Sequence, residues 1–507
     1  MNPLLLTDGY KTGHHQQYPE GTTLVYSNFT PRSNRYAPNG ANHVVSFGQQ
    51  MALMQLHEIF EKEFFSRPKE EVCGEIKVEL SLYLNTEYDV THFEDLHDLG
   101  YLPIHVKIIP EGHLVPIRVP VLTIYNTVPN FYWVTNYLET ILSNLLWKPM
   151  TSATIAHEYR KTLMKWALAT DPTGSQFVDF QGHDFSMRGM DSAEATISSG
   201  LGHLTSFLGT DSLPTIYGAR KYYGDQGFVA GSVPATEHSV MCAGTKDDEI
   251  GTFRRLLNTY PTGILSVVSD TWDLWKVCTD YVKELKEEIM SRDGKLVIRP
   301  DSGNPADILC GLNSNPDIID GELSGDIYSD PDRPEYKGVI EILWDTFGGT
   351  VNEKGYKVLD GHIGAIYGDS ITIERAEEIC RRLESKGFSS TNVVLGIGSF
   401  TYQYNTRDSF GFAMKATYVE VNGEGRPIFK NPVTDDGTKK SAYGLLKVLP
   451  TEGGYELVDN VTWDEEKNDS SLVTLYENGE FKNTQTLEQI RETLKTQNAE
   501  VEIPAEV

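Results

Sequence analysis

Basic charge is scarce in this chain: 44 Lys and Arg stand against 72 Asp and Glu, a formal charge of −28. A general nucleic-acid binder needs basic surface to displace counterions from phosphates, so no nucleic-acid partner is expected. A cleft with a local cluster of Arg and Lys could still take a small phosphorylated ligand. Cysteine is also sparse, and the five present (Cys73, Cys242, Cys278, Cys310, Cys380) are odd in number, scattered and without CxxC spacing. That argues against a zinc ribbon or dithiol centre and for reduced, mostly buried thiols. No run of about 20 apolar residues occurs, and the start, MNPLLLTDGYK, lacks a basic leader region. No membrane partner is expected, and the chain reads as cytoplasmic. A GxxxxGK[ST] loop is missing too, so no P-loop explains a phosphate substrate. There is no internal repeat.

What is present is ample core material, with 39% hydrophobic residues in 507, enough for two to three domains or a large barrel with an added domain. Apolar spacing predicts helices over 47–65, 132–147 and 151–168, and another opening at Asp191, where Asp191 and Glu194 suggest a capping box. Beyond that point short β-branched runs alternate with helical stretches. Those at 264–268, 296–298, Ile363–Tyr367 and 393–395 end in Ser269-Asp270, Arg299-Pro300-Asp301-Ser302-Gly303, Gly368-Asp369-Ser370 and Gly396-Ile397-Gly398. Such alternation implies a parallel sheet, open or closed, with the polar residues after its strands lining one mouth. The acidic, Pro- and Gly-rich stretch 313–336 reads as a solvated loop. Residues 414–421 and 426–429 flank an Asn422-Gly423-Glu424-Gly425 turn as a hairpin, and 497–507 should fray.

Asp270, Asp301 and Asp369 at strand ends could hold Mg²⁺ directly, through water or through a ribose diol; equally, each could cap the helix that follows. Candidate phosphate ligands are Arg32, Arg188, Arg299, Arg407, Lys415, Lys430, Lys439 and Lys440, any of which could instead be a solvated surface charge. His238 follows the small, turn-prone Gly231-Ser232-Val233-Pro234-Ala235. Imidazole titrates near neutrality and attacks phosphorus well, yet a lone histidine is often structural, and His183 is a candidate of the same kind. A metal hydrolase using His183, Asp184, Glu237 and His238 as ligands stays open.

Longer strings narrow the choice. Thr7-Asp8-Gly9-Tyr10-Lys11, His183-Asp184-Phe185, Arg188-Gly189, Gly209-Thr210-Asp211, Ser232-Val233-Pro234-Ala235 with Glu237-His238-Ser239, Ser266-Val267-Val268-Ser269-Asp270 and the IRPDSGNP run at 298–305 resemble, in order and spacing, the nicotinamide phosphoribosyltransferases of the type II phosphoribosyltransferase family. The similarity runs from about Pro3 into the C-terminal region and weakens in 313–336 and after Leu446. It implies an α/β fold: a distorted α/β barrel (151–400) plus a second α+β domain whose antiparallel strands come from both chain ends (1–150 and 401–507). It implies a homodimer with active sites at the interface, to which Asp8 and Tyr10 are contributed across the subunits.

By the same resemblance, Tyr10 and Phe185 sandwich a pyridine ring, Asp211 accepts from its carboxamide and Arg299 lies beside it. Asp301, Gly368 and Asp369 meet the ribose. Arg32, Arg188, Lys430, Lys439 and Ser441 surround pyrophosphate, Arg407 and Lys415 hold the 5′-phosphate, and Ser266, Gly398 and Ser399 join the phosphate contacts. Asp270 and Asp301 are the implied catalytic acids and Mg²⁺ ligands. His238 is the implied phosphoacceptor from ATP, with Asp270 orienting its imidazole. The substrates implied are nicotinamide and phosphoribosyl pyrophosphate. Two departures stand out: Gly396-Ile397-Gly398-Ser399-Phe400 replaces a glycine-rich turn, and Lys439 and Ser441 match only after a length change around 435–438. Rival readings are a nicotinate phosphoribosyltransferase, the metal-dependent hydrolase and a non-catalytic relative.

Overall fold

The computed structural model describes residues 1–312, 332–368, 370–431, 434 and 441–497. One antiparallel sheet takes strands from both ends of the sequence: β1 (Thr22–Thr30), β2 (Ile104–Ile108), β3 (Leu122–Asn126), β10 (Ala413–Val421), β11 (Glu424–Pro427), β12 (Val473–Glu477) and β13 (Glu480–Phe481). Their order is β11-β10-β1-β3-β2-β12-β13, so β1 lies between a strand from each end of the chain. Val419 and Val421 of β10 pack on Val25 of β1, the alternation that fixes which face is buried. The β10–β11 hairpin is tighter than its sequence suggested. Val421 pairs with Glu424, leaving only Asn422 and Gly423 in the loop, at φ 55° and 77° as a type I′ turn requires.

The second sheet is parallel: β4 (Gly182–Asp184), β5 (Gly209–Thr210), β6 (Thr262–Val268), β7 (Asp293–Arg299), β8 (Ile363–Tyr367) and β9 (Val393–Ile397), in the order β5-β4-β9-β8-β7-β6. Residues 231–236 bridge its two edges. Gly231 N–H donates to Leu208 O (2.9 Å) and Thr210 N–H to Gly231 O (3.1 Å), while Ser266 N–H donates to Pro234 O (2.9 Å) and Thr236 N–H to Ser266 O (3.0 Å). The sheet thereby closes as a distorted barrel. Pro234 has no N–H to give a ladder, which is why the closing segment is irregular.

The two largest apolar cores follow from these sheets. Leu265, Val267, Leu296, Ile298, Ile363, Val393 and Leu395 lie in the barrel core; Phe29, Ile104, Val106, Leu122, Ile124, Phe412 and Met414 lie under the antiparallel sheet. Helix α2 (Glu139–Thr170), 32 residues long, joins them. Its first half buries Leu142, Leu146 and Met150 in the second core, and its second half buries Ile155, Tyr159 and Leu163 in the first. The two helices expected at 132–147 and 151–168 are thus mostly one. Pro149 forfeits a backbone hydrogen bond but stays inside the helix, its ring seated on Gly48, where a Cβ would come within 2.4 Å of Pro149 Cγ.

Helix α1 (Gln49–Phe60) continues in a π-turn through Phe65. Helix α3 (Ala193–His203) is capped by Ser192, whose hydroxyl accepts from Ala195 N–H at 3.0 Å, and not by Asp191 as its sequence suggested. Four cysteines are buried, and Cys242 is exposed. Among the described residues no helix is long and apolar enough to cross a membrane. Most of the stretch 313–336 and all but Gln497 of 497–507 lie outside the described residues.

Candidate active site

Parallel strands put all their C-terminal ends on one side, so the barrel mouth collects Phe185 after β4, Asp211 after β5, Asp270 and Thr271 after β6, Asp301 after β7, Gly368 after β8, and Gly398 and Ser399 after β9. The closing segment leads into His238, the first residue of a short helix ending at Ala243. Asp270 is the organiser. Its Oδ2 accepts from Asp301 N–H (2.8 Å), Ser302 N–H (2.8 Å) and Ser302 Oγ (2.6 Å), which ties the end of β6 to the loop after β7. Its Oδ1 is buried with no hydrogen-bond partner. The His238 ring, half exposed, lies with Nδ1 3.0 Å from Thr271 Oγ1 and Nε2 3.3 Å from Asp301 Oδ1. Thr271 and Asp301 therefore contact the imidazole, and Asp270, expected to orient it, bonds instead to Asp301 and Ser302. Donor atoms of His238, Asp270 and Asp301 lie within 4.8 Å of one another, close enough to share a cation. An orphaned carboxylate oxygen with a second carboxylate beside it suits a hard divalent ion.

A second group forms around Asp211. Its Oδ1 accepts from His183 Nε2 (2.8 Å) and Ser232 Oγ (2.5 Å), joining the ends of β4, β5 and the closing segment. Burial raises the Asp211 pKa, but the hydrogen bonds from His183 and Ser232 and the charges of His183 and Arg299 outweigh it, so the carboxyl sits below its ordinary value. The Phe185 ring lies 4.6 Å from that of His183. It also packs over Gly396, where a Cβ would approach Phe185 Cδ2 to 2.8 Å, so the residue at 396 must lack a side chain. Arg299 lies half-buried among Asp301, Asp211 and Asp270; burial lowers its pKa and those acids partly restore it. Its Nε is buried without a partner. Arg188 is exposed, and the adjoining Gly189 lies against Ser399, whose Oγ a Cβ at 189 would meet at 2.1 Å.

The loop after β9 is braced from below. Fully buried His203 lies 2.9 Å from Gly209 O through Nε2 and 2.7 Å from Tyr402 OH through Nδ1. A carbonyl can only accept, so Nε2 carries the proton and Nδ1 accepts from Tyr402. His183, Ser232, Thr271 and His203 were not assigned these places from sequence, because each partner comes from a different segment of the chain. His183-Asp184 beside Phe185 was the available signal.

Arg32, Lys415 and Lys430 gather at the antiparallel sheet. Burial lowers the Lys415 pKa, Glu139 raises it, and Arg32, Lys11 and Lys430 lower it further, so these four cations share one field. Lys415 Nζ is 3.7 Å from Glu139 Oε1, and buried Lys11 pairs with the same carboxylate. Tyr10, Lys11, Glu139 and Lys415 line a cavity of about 450 Å³ to which no barrel strand contributes. Phe185 is not among the residues that line this cavity. Asp8 accepts from Thr140 Oγ1 at 2.8 Å. Lys430 N–H donates to Ser441 Oγ at 2.8 Å, and Arg407 is exposed, 3.5 Å from Asp408. Ser266 is buried in the barrel wall, where its backbone makes the closing hydrogen bonds, so it lies below the mouth rather than in it. Asp369, Lys439 and Lys440 lie outside the described residues.

The metal set of the hydrolase reading does not assemble. His183 faces Asp211, Asp184 is fully buried and accepts from Ser186 N–H at 2.9 Å, and Glu237 accepts from Ser239. Among the described residues, the groups that could hold a metal are His238–Asp270–Asp301 and His43–His157–Glu158.

A parallel barrel with an acid-rich mouth, joined to an antiparallel sheet carrying cations, defines a class. Residues 180–497 match the nicotinate phosphoribosyltransferase family model, and the chain belongs to that family. Within it the chain falls with the nicotinamide phosphoribosyltransferases: residues 2–106 match the N-terminal domain of those enzymes. The nicotinamide phosphoribosyltransferase of Acinetobacter baylyi is 48% identical over 509 aligned positions, covering 98% of each chain. That of Mycoplasma pneumoniae is 35% identical over 88% of this chain and 95% of its own. Solved structures of a Pyrococcus furiosus nicotinate-nucleotide pyrophosphorylase and of human nicotinic acid phosphoribosyltransferase both superpose with a TM-score of 0.53, at 16% and 15% identity. They cover 99% and 97% of this chain, and 96% and 93% of their own, and show the shared fold.

Proposed function

We propose that this enzyme joins nicotinamide to phosphoribosyl pyrophosphate, releasing pyrophosphate and nicotinamide mononucleotide for NAD salvage, as a cytoplasmic homodimer whose His238 couples the synthesis to ATP. The observation that carries the choice of base is Asp211. Its Oδ1 is committed to His183 and Ser232, which leaves Oδ2 as acceptor for a carboxamide NH₂. An ionised carboxylate there attracts the amide and repels the carboxylate of nicotinate.

Phe185 supplies one face of the ring site, and Tyr10 of the second subunit the other. The pyridine nitrogen attacks the anomeric carbon as the bond to pyrophosphate breaks, and positive charge grows on the ribose. Asp270 and Asp301 stand where their negative charge steadies that ring, while Arg188, Arg32 and Lys430 receive the departing pyrophosphate and Lys415 and Arg407 the 5′-phosphate. Mg²⁺, held by Asp270 and Asp301, would neutralise part of the pyrophosphate charge. His238 takes the γ-phosphoryl group of ATP, releasing ADP, and later yields it to water. The resulting charge would draw the cation toward the pyrophosphate pocket.

The test incubates the protein with nicotinamide or nicotinate, phosphoribosyl pyrophosphate and Mg²⁺, with and without γ-labelled ATP. Nicotinamide mononucleotide is expected, stimulated by ATP, with acid-labile label on the wild type and none on His238→Ala. A higher kcat/KM for nicotinate would overturn the assignment of the base, and label persisting on His238→Ala would overturn that of the phosphoacceptor.

A further inference from the structure

Away from the barrel mouth, the strand His43–Val45 lies against α2, with Val45 N–H donating to Thr154 Oγ1 at 3.0 Å. Where they meet, His43, His157 and Glu158 place donor atoms within 4.8 Å of one another. His157 and Glu158 are 1% and 2% exposed. His157 Nδ1 is buried with no hydrogen-bond partner. His43 Nε2 lies 3.3 Å from Glu158 Oε1, within ion-pair reach. The other ring nitrogen, Nδ1, is 3.0 Å from Asn42 Oδ1. An amide oxygen only accepts, so Nδ1 carries a proton and Nε2 faces the carboxylate. A buried ring nitrogen with no partner, His157 Nδ1, is costly unless a further group answers it, and a cation held with Glu158 does so.

We propose that His43, His157 and Glu158 bind a borderline divalent cation such as Zn²⁺, leaving one coordination position to water, and so staple the strand His43–Val45 to α2. Two imidazoles and a carboxylate are a donor set suited to such an ion, and a tetrahedral site accepts a water as fourth ligand. Bonds of about 2 Å bring ligand atoms to roughly 3.3 Å apart, the spacing His43 Nε2 and Glu158 Oε1 already have, so the site closes by at most about 1.5 Å on loading. His43, on a three-residue strand and the least buried of the three, can supply that movement.

The surroundings also match those of a metal ligand set. Asn42 fixes the tautomer of His43, and Asn39 Nδ2 donates to Glu158 Oε2 at 3.2 Å. Lys161 is the opposing term, its Nζ 3.1 Å from both oxygens of Glu158. It approaches from solvent, with a side chain 37% exposed. It can keep Oε2 while Oε1 turns to the ion.

The experiment uses the full chain, stripped with chelator and titrated with Zn²⁺ against a chromophoric competitor. Because His238, Asp270 and Asp301 also could take a cation, every variant is made in a His238→Asn background. One tight equivalent should remain in that background. It should be lost or weakened at least about a hundredfold by His43→Ala, and weakened about tenfold by Asn42→Ala, which removes only the outer hydrogen bond. Zn²⁺ should raise the Tm of the background protein and leave that of His43→Ala unmoved. His43 stands at the edge of the site, so this variant keeps the test usable if His157→Ala does not fold. Equal Zn²⁺ affinity with and without His43, or no competition by the background protein, would show that water fills the space and overturn the proposal. Neither outcome depends on turnover, so it leaves the transferase reading untouched.

Discussion

Asp211 carries the proposed choice of base, and His183 and Ser232 aim it. Replacing it with Asn removes the charge while keeping a polar side chain, so discrimination between nicotinamide and nicotinate should shrink by about 10- to 100-fold in the ratio of kcat/KM, or about 1.4–2.8 kcal/mol. Because its folded pKa lies below the ordinary carboxylate value, Asp211 stays ionised as pH falls from 7 to 5, and nicotinamide kcat/KM should hold across that range. Ser232→Ala deletes a hydrogen bond that favours the ionised form, so the folded pKa rises and the acidic limb should move to higher pH. A pH profile of the two proteins checks both sign and direction; an unmoved limb would mean that another group controls it. At this scale sequence reading reached Asp270, Arg299 and Asp301, since polar residues after parallel strands share a mouth, while Asp211 came from the family resemblance. It could not pair Asp211 with His183 and Ser232, which lie 28 and 21 positions away on other barrel segments.

Among the elements, α2 governs how barrel and antiparallel sheet are joined, because a single helix buries apolar residues in both cores. Its weak point is Pro149, tolerated because the ring fills the space over Gly48. Gly48 is held at φ 91°, and a Cβ there would meet Pro149 Cγ at 2.4 Å. Gly48→Ala should therefore cost about 2–4 kcal/mol through overpacking and a left-handed backbone, read as a lower denaturation midpoint. A loss below about 0.5 kcal/mol would mean that helix and loop shift freely. Sequence periodicity found both halves of α2 but left a break at 148–150, where Pro149 stands, since local rules cannot know that a glycine about a hundred residues earlier makes room for the ring. The segment 231–236 was hidden for a related reason: its Pro and small residues carry no strand pattern, and only the two barrel edges make it one.

For the whole molecule, the feature that matters most is that Tyr10 lines a cavity without Phe185. If each ring site borrows Tyr10 from a second subunit, Tyr10→Ala and Phe185→Ala proteins should each be nearly inactive alone. Unfolded and refolded together in equal amounts, they should regain about a quarter of wild-type activity, because half the dimers are mixed and each of those has one intact site. No recovery, with dimers shown to have exchanged, would place Tyr10 and Phe185 in the same subunit's site. The cavity lined by Tyr10, Lys11, Glu139 and Lys415 supports such sharing. Glu139 neutralises cations there that a phosphate would otherwise hold.

By itself the sequence determined the class of fold, the acidic strand ends and the family, because strand and helix periodicities and ordered motifs are local properties that survive without coordinates. Only the tertiary structure decided that residues 231–236 close the barrel, that Asp270 bonds to Asp301 and Ser302, and that His43 meets His157 and Glu158. Each of those depends on groups brought within hydrogen-bonding reach from distant parts of the chain, where burial and direction, rather than residue type, set the energy.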